Sequence, residues 1–186
     1  MQNIFIIHGA YGNPGENWFP WLKNELKKLG ENVFIPKFPT PKNQSLENWL
    51  NILAKYKQYF NSETIIVGHS IGVGFLLNVI ENLKNPIKSA FFISGWVGEL
   101  NNPKFDEINK TFVNRNFNWS KIQKNCKKFH VFNSDNDPYV PLELGKSLAN
   151  YLRTNLIIIK NGGHINSEAE FTKFEYLLEE IKKELK

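Results

Sequence analysis

The stretch Thr64-Ile65-Ile66-Val67-Gly68-His69-Ser70-Ile71-Gly72 carries the strongest structural signal in the chain. A short run of strand character enters Gly-His-Ser-Ile-Gly. The next segment is apolar nearly all round (Ile71, Val73, Phe75, Leu76, Leu77, Val79, Ile80), as in a buried helix. Glycine two positions either side of a serine marks a turn so sharp that strand and helix backbones nearly touch, with no room for Cβ atoms beside it. The serine oxygen then stands clear at the C-terminal end of a sheet, where open α/β folds place their ligands, and at a helix N-terminus whose amides favour negative charge.

On either side of this turn, strand-length apolar runs lie at 3–7, 32–35, 64–67, 89–94, 129–133 and 155–159, and helical patterns at 16–29, 46–60, 71–83, 142–151 and 168–185. Most of the strand runs are continuous Ile, Val and Phe, which is how strands buried on both faces read. In the last helical pattern Phe171, Phe174, Leu177, Leu178, Ile181 and Leu185 form one apolar stripe. Alternating β and α predicts right-handed crossovers and an α/β/α sandwich around a mainly parallel sheet of about six strands. The rhythm breaks only at 95–126, where Trp96, Phe105, Phe112, Phe117 and Trp119 stand among polar residues. That is the pattern of a small cap-like excursion over one end of the sheet, within a single domain spanning 1–186.

Composition excludes several classes. A chain of 186 residues with 41% hydrophobic and 22% charged residues can carry its own core. Its one cysteine, Cys126, cannot make an internal disulfide, and the first apolar run, Ile4 to Ile7, is too short for a leader or a span; a cytoplasmic protein without membrane association is expected. The net charge of +5 comes from scattered lysines and two arginines, not from a basic stripe, so no nucleic-acid partner is expected.

A serine needs a base to become a nucleophile. His69 sits inside the sharp turn, His8 precedes Gly9 after the first strand, and His130 opens a strand that reads as buried. His164 differs: Asn161-Gly162-Gly163-His164 follows the last strand in a loop returning to the sheet edge beside Ser70. The base needs a carboxylate to hold its tautomer. Ser134-Asp135-Asn136-Asp137-Pro138 follows the fifth strand, and Asp137 is preferred from its place in the loop and the order Ser, Asp, His. Asp135 is the competitor, read as a turn residue bonding its own backbone.

For the developing oxyanion, two backbone N–H groups are needed. The residue after the serine, Ile71, supplies one, and the loop His8-Gly9-Ala10-Tyr11-Gly12 supplies the other, from Ala10 first and Tyr11 next. That loop lacks the pairs that make a dinucleotide or Walker phosphate site, so no nucleotide, metal or other cofactor is expected. Tyr11, Trp18, Trp21, Trp96 and Tyr139 all start from loops at the same end of the sheet, which predicts an aromatic, shallow pocket for short acyl groups.

In this order, His8-Gly9, Gly68-His69-Ser70-Ile71-Gly72, Asp137-Pro138-Tyr139-Val140-Pro141 and Gly162-Gly163-His164 resemble the landmarks of the α/β-hydrolases. The compact length, Trp18-Phe19-Pro20-Trp21 and Ser134-Asp135-Asn136-Asp137-Pro138 resemble the retinoblastoma-binding-protein-nine-like serine hydrolases in particular. The resemblance implies a pared-down sheet lacking the first two antiparallel strands of larger hydrolases, and a triad at Ser70, Asp137 and His164. The family's Leu-x-Cys-x-Glu motif for pocket proteins has no counterpart here, since the only cysteine lies in Asn125-Cys126-Lys127, so that partner role does not transfer. The expected function is hydrolysis of a small carboxylic ester, or of an amide or peptide, through an acyl-enzyme. The alternative is a non-catalytic protein- or ligand-binding module on the same fold.

Overall fold

Strands β1 (Asn3–Ile7), β2 (Asn32–Phe34), β3 (Ile65–His69), β4 (Ile87–Ile93), β5 (Cys126–Ser134) and β6 (Leu156–Ile159) form one parallel sheet in the order β2-β1-β3-β4-β5-β6. The architecture comes from a computed structural model, which describes residues 1–185. Every neighbouring pair is parallel, with Phe5 opposite both Phe34 and Ile66, and His69 opposite Ile93.

Crossover handedness decides which face each helix covers. The chain steps from β1 to β2 in one direction and then makes every later step in the other, so a constant right-handed crossover puts the first connecting helix on one face and the later connecting helices on the other. That helix, α1 (Phe19–Lys28), buries Phe19, Leu22 and Leu26 against Ile4, Ile6, Ile65 and Val67. On the opposite face α2 (Leu46–Leu53), α3 (Ile71–Glu81), α4 (Pro103–Val113), α5 (Trp119–Asn125) and α6 (Leu142–Leu152) cover Phe5, Ile66, Ala90, Phe92 and Val131. The last helix, α7 (Glu175–Glu184), comes after the edge strand and packs beside α1 through Leu177, Leu178 and Ile181. Successive strand residues thus enter two different cores, which is why the runs are apolar without alternation. Every residue of α3 is buried, because it lies between the sheet and an outer layer of helices.

Three local expectations are corrected. β5 begins at Cys126, not at Phe129: Cys126 pairs with Ile87 and Lys128 with Ser89, but the exposed Lys127 and Lys128 mask the strand in the sequence. The 46–60 pattern is not one helix, since α2 tightens into a 3-10 segment over Ala54–Tyr59. The terminal helix starts at Glu175, later than its apolar stripe suggests. A separate 3-10 turn, Ser167–Ala169, is capped by the Asn166 side chain and ended by Glu170 in the left-handed region at φ 65°. Phe171 and Phe174 therefore reach the α1–α7 core from a loop.

Segment 95–126 carries α4 and α5. Asn102 caps α4 by accepting from the Phe105 N–H, with Pro103 in the first turn. Phe112 and Val113 press α4 onto α3 so closely that a Cβ on Gly74 would lie 2.5 Å from Val113 Cγ1. Strand order reverses between β1 and β3, and at that switch point the loops after both strands open into a crevice.

Candidate active site

Ser70 stands at the switch point between β3 and α3 with φ 57° and ψ −129°, a strained conformation for a residue with a Cβ. Its N–H donates to Ile93 O at 2.9 Å, which pins the turn to β4. The glycines explain why it holds. A Cβ on Gly72 would lie 2.6 Å from Ile7 O and 2.8 Å from His8 O, and one on Gly9 would lie 2.8 Å from Ser70 Cβ.

The Asp137 side chain is fully buried, and its two oxygens have separate duties. Oδ1 accepts from the Tyr139 and Val140 N–H groups at 2.9 and 3.0 Å, and Oδ2 faces His164 Nδ1 at 2.8 Å. The acceptor carboxylate assigns the proton to His164 Nδ1, which leaves Nε2 as the acceptor nitrogen. Ser70 and His164 line one cavity of about 320 Å³.

Four consecutive residues, 134–137, each grip one of four consecutive residues of the histidine loop, 161–164. Ser134 Oγ accepts from the Gly162 N–H at 2.9 Å and Asp135 Oδ1 from the Asn161 N–H at 2.7 Å. Asn136 Oδ1 accepts from the Gly163 N–H at 2.8 Å, and Asp137 takes the His164 ring. Asp135 is therefore not a turn residue satisfying its own backbone. Its carboxylate fixes the far loop.

The other side of the histidine loop is held as well. His69 Nε2 donates to His164 O at 2.9 Å and Ser94 Oγ to the same oxygen at 3.3 Å, while Trp18 Nε1 donates to Ile165 O at 3.0 Å. Full burial pushes the His69 pKa down to about 3, helped by the nearby His164, so its ring is neutral. His8 is likewise lowered by burial. Its Nδ1 is 2.8 Å from Gly9 O, and its Nε2 accepts from the Phe38 N–H at 3.0 Å. His130 stacks on Phe91 away from the cavity, with centroids 4.3 Å apart.

Of the sequence-proposed wall, Tyr11, Trp96 and Tyr139 line the cavity; of the two oxyanion candidates, Ala10 lines it too and Ile71 comes directly after Ser70 at the start of α3. The Tyr11 N–H donates to Thr40 Oγ1 at 2.6 Å, which leaves the Ala10 N–H as the candidate oxyanion donor from this loop. Trp18 and Trp21 are corrections. Trp18 is wholly buried between Phe19, His69 and Phe174, and Trp21 packs on the α1 core, so neither reaches the wall. Sequence reasoning missed Glu16, Asn17, Leu100, Phe105, Asn109, Asn166, Ser167 and Glu168, which add to the lining from outside the motifs. Glu16, its pKa raised by burial, and Glu168, 3.3 Å from the Tyr139 hydroxyl, are the acidic residues of a wall to which, among the described residues, no lysine or arginine contributes. Among the described residues no group of three His, Cys, Asp or Glu could hold a metal ion.

Comparison with known proteins bears on the family and the fold. Residues 4–183 match the family model described as serine hydrolase. The chain belongs to the serine hydrolase family. It is 30% identical to YdeN of Bacillus subtilis over 173 residues, covering 92% of this chain and 90% of that protein. With the serine hydrolase RBBP9 of Rattus norvegicus it shares 24% identity over 166 residues, covering 89% and 84%. The crystal structure of the Bacillus subtilis ydeN gene product superposes with a TM-score of 0.92 at 27% identity, covering 100% of this chain and 99% of that one. The six-stranded parallel sheet and its helices are an α/β-hydrolase fold. No helix among the described residues is long and apolar enough to cross a membrane.

Proposed function

We propose that this member of the serine hydrolase family cleaves a small carboxylic ester, with small amides or peptides as the related substrates, through a Ser70–His164–Asp137 triad. The observation that carries the reading is the His164 Nδ1 to Asp137 Oδ2 contact of 2.8 Å beside a cavity that Ser70 also lines. Ser70 Oγ attacks the carbonyl carbon and its proton passes to His164 Nε2. The tetrahedral oxyanion is held by the N–H groups of Ile71 and Ala10. Its collapse breaks the bond to the leaving oxygen or nitrogen, which takes the proton from His164. Water then enters, gives a proton to Nε2, and releases the acid as Ser70 regains its hydrogen. Asp137 holds the imidazole and stabilises its charged form without becoming protonated.

A cavity of about 320 Å³ lies at the lower end of small-molecule sites, which supports short acyl groups. A cytoplasmic location accords with a single, buried cysteine, and the partner is a small molecule. The test is a panel of nitrophenyl esters of rising chain length, run beside aminoacyl amides. Turnover of short esters that disappears in Ser70→Ala supports the reading. Turnover unaffected by that change contradicts it.

A further inference from the structure

Tyr11, Phe105 and Tyr139 line the cavity from three separate places: the glycine loop after β1, the first turn of α4 in the cap, and the loop after the proposed acid. Their rings meet edge to face, Tyr11 on Phe105 with centroids 6.2 Å apart and Phe105 on Tyr139 at 5.8 Å. Tyr139 in turn meets the His164 ring at 5.1 Å, with the two planes at 84°. The row of rings thus runs from the glycine loop to the proposed base. None of the three belongs to either core, and Tyr11 and Tyr139 keep 45% and 39% of their surface exposed.

Core packing does not account for these rings. Tyr11 has φ 59°, a left-handed conformation that costs a bulky residue more than it costs glycine or asparagine. Its N–H bond to Thr40 Oγ1 fixes that backbone, and its ring meets Phe105 and Lys104, both on α4, with Lys104 Nζ 5.5 Å from the centroid. A strained backbone that presents a half-exposed ring to a cavity beside Ser70 points to binding, not to stability. An aromatic face is electron-rich and its edge electron-poor, so such rings hold another planar ring by offset stacking or edge-to-face contact, beyond the area they bury. A saturated ring of similar size is more apolar but offers no such charge pattern. We propose that Tyr11, Phe105 and Tyr139 form a subsite for an aryl group of the substrate, which makes them specificity-determining residues. This inference rests on the hydrolase reading above and names the substrate class: small esters bearing an aryl ring rather than saturated ones.

The test uses pairs of similar size in which a phenyl ring is replaced by a cyclohexyl ring. Benzyl acetate against cyclohexylmethyl acetate probes the alcohol side, and methyl phenylacetate against methyl cyclohexylacetate the acyl side. Each kcat/KM is divided by the rate of the same ester with hydroxide, which removes intrinsic reactivity. A merely apolar cavity would favour the saturated ring. In the wild type at least one pair should favour the aryl ester by about threefold or more, the scale of one aromatic pair. Tyr11→Leu, Phe105→Leu and Tyr139→Leu should each bring that ratio towards one, and any one of them that folds serves. Tyr11→Phe and Tyr139→Phe keep the rings and should keep the ratio. Ratios of about one or below for both pairs in the wild type would overturn the assignment. So would a preference unchanged in every folded leucine variant, or one lost equally in the phenylalanine variants. Absence of ester turnover together with absence of labelling at Ser70 by a fluorophosphonate would instead strike the hydrolase reading beneath it.

Discussion

The His69 ring donates from Nε2 to the backbone oxygen of His164 at 2.9 Å, so the residue before the proposed nucleophile holds the loop that carries the proposed base. His69→Ala should lower turnover by about tenfold, the scale of one lost buried hydrogen bond, and His69→Gln, which restores a donor, should recover part of it. Equal turnover in all three proteins would remove His69 from any positioning role.

The same residue predicts a pH dependence of stability. Its pKa is lowered from 6.5 to about 3 in the folded protein, so between those values the unfolded chain binds a proton at this position that the folded chain refuses. Stability therefore falls as pH drops below about 6.5, by about 1.4 kcal/mol per pH unit, and levels off near pH 3. Above pH 6.5 both states are neutral here and the contribution to the slope vanishes. Denaturant melts of wild type and His69→Gln from pH 7 to pH 4 should show the wild type losing more. Parallel profiles would contradict the assignment.

The two aspartates of the acid loop should separate cleanly. Asp137→Asn offers His164 Nδ1 an amide in place of a carboxylate and favours the wrong tautomer, a change that costs about 10⁴ in turnover in Ser-His-Asp enzymes. Asp135→Asn keeps an oxygen for the Asn161 N–H and should cost less than about tenfold. Steady-state kinetics on both variants decide it, and the reverse ranking would move the acid to Asp135.

Much of this organisation is legible in the sequence because it depends on short-range signals. The six strands announce themselves as apolar runs, and Gly68 and Gly72 flag the sharp turn since only glycine fits against Leu76 and the carbonyl of Ile7. Other features depend on tertiary placement. Whether a tryptophan beside the glycine loop faces a cavity or a core turns on the rotation of α1, which buries Trp18 and sends its Nε1 to Ile165. Phe105 and Asn109 reach the cavity only because α4 folds back onto α3, and no local pattern encodes that approach. The pairing of residues 134–137 with 161–164 joins segments 27 residues apart and is invisible before the sheet is assembled.

Trp96 is both cavity wall and core: it is 2% exposed and packs in the cluster with α3. Short-chain esters should be turned over faster than long ones by the wild type. Trp96→Ala should shift the optimum to longer chains and also cost about 3–5 kcal/mol of stability, the range for truncating a buried tryptophan. A wild type that prefers acyl chains beyond about ten carbons would need a larger cleft and would refute the short-acyl reading.

Every step of the proposed reaction depends on Ser70 as the nucleophile, and intact-mass and peptide analysis after treatment with a fluorophosphonate probe reads that role on the protein itself. One adduct per chain is expected, mapped to Ser70, with labelling and ester turnover both lost in a Ser70→Ala protein that melts as the wild type does. An adduct that persists in Ser70→Ala, or that maps to another residue in the wild type, would contradict the assignment.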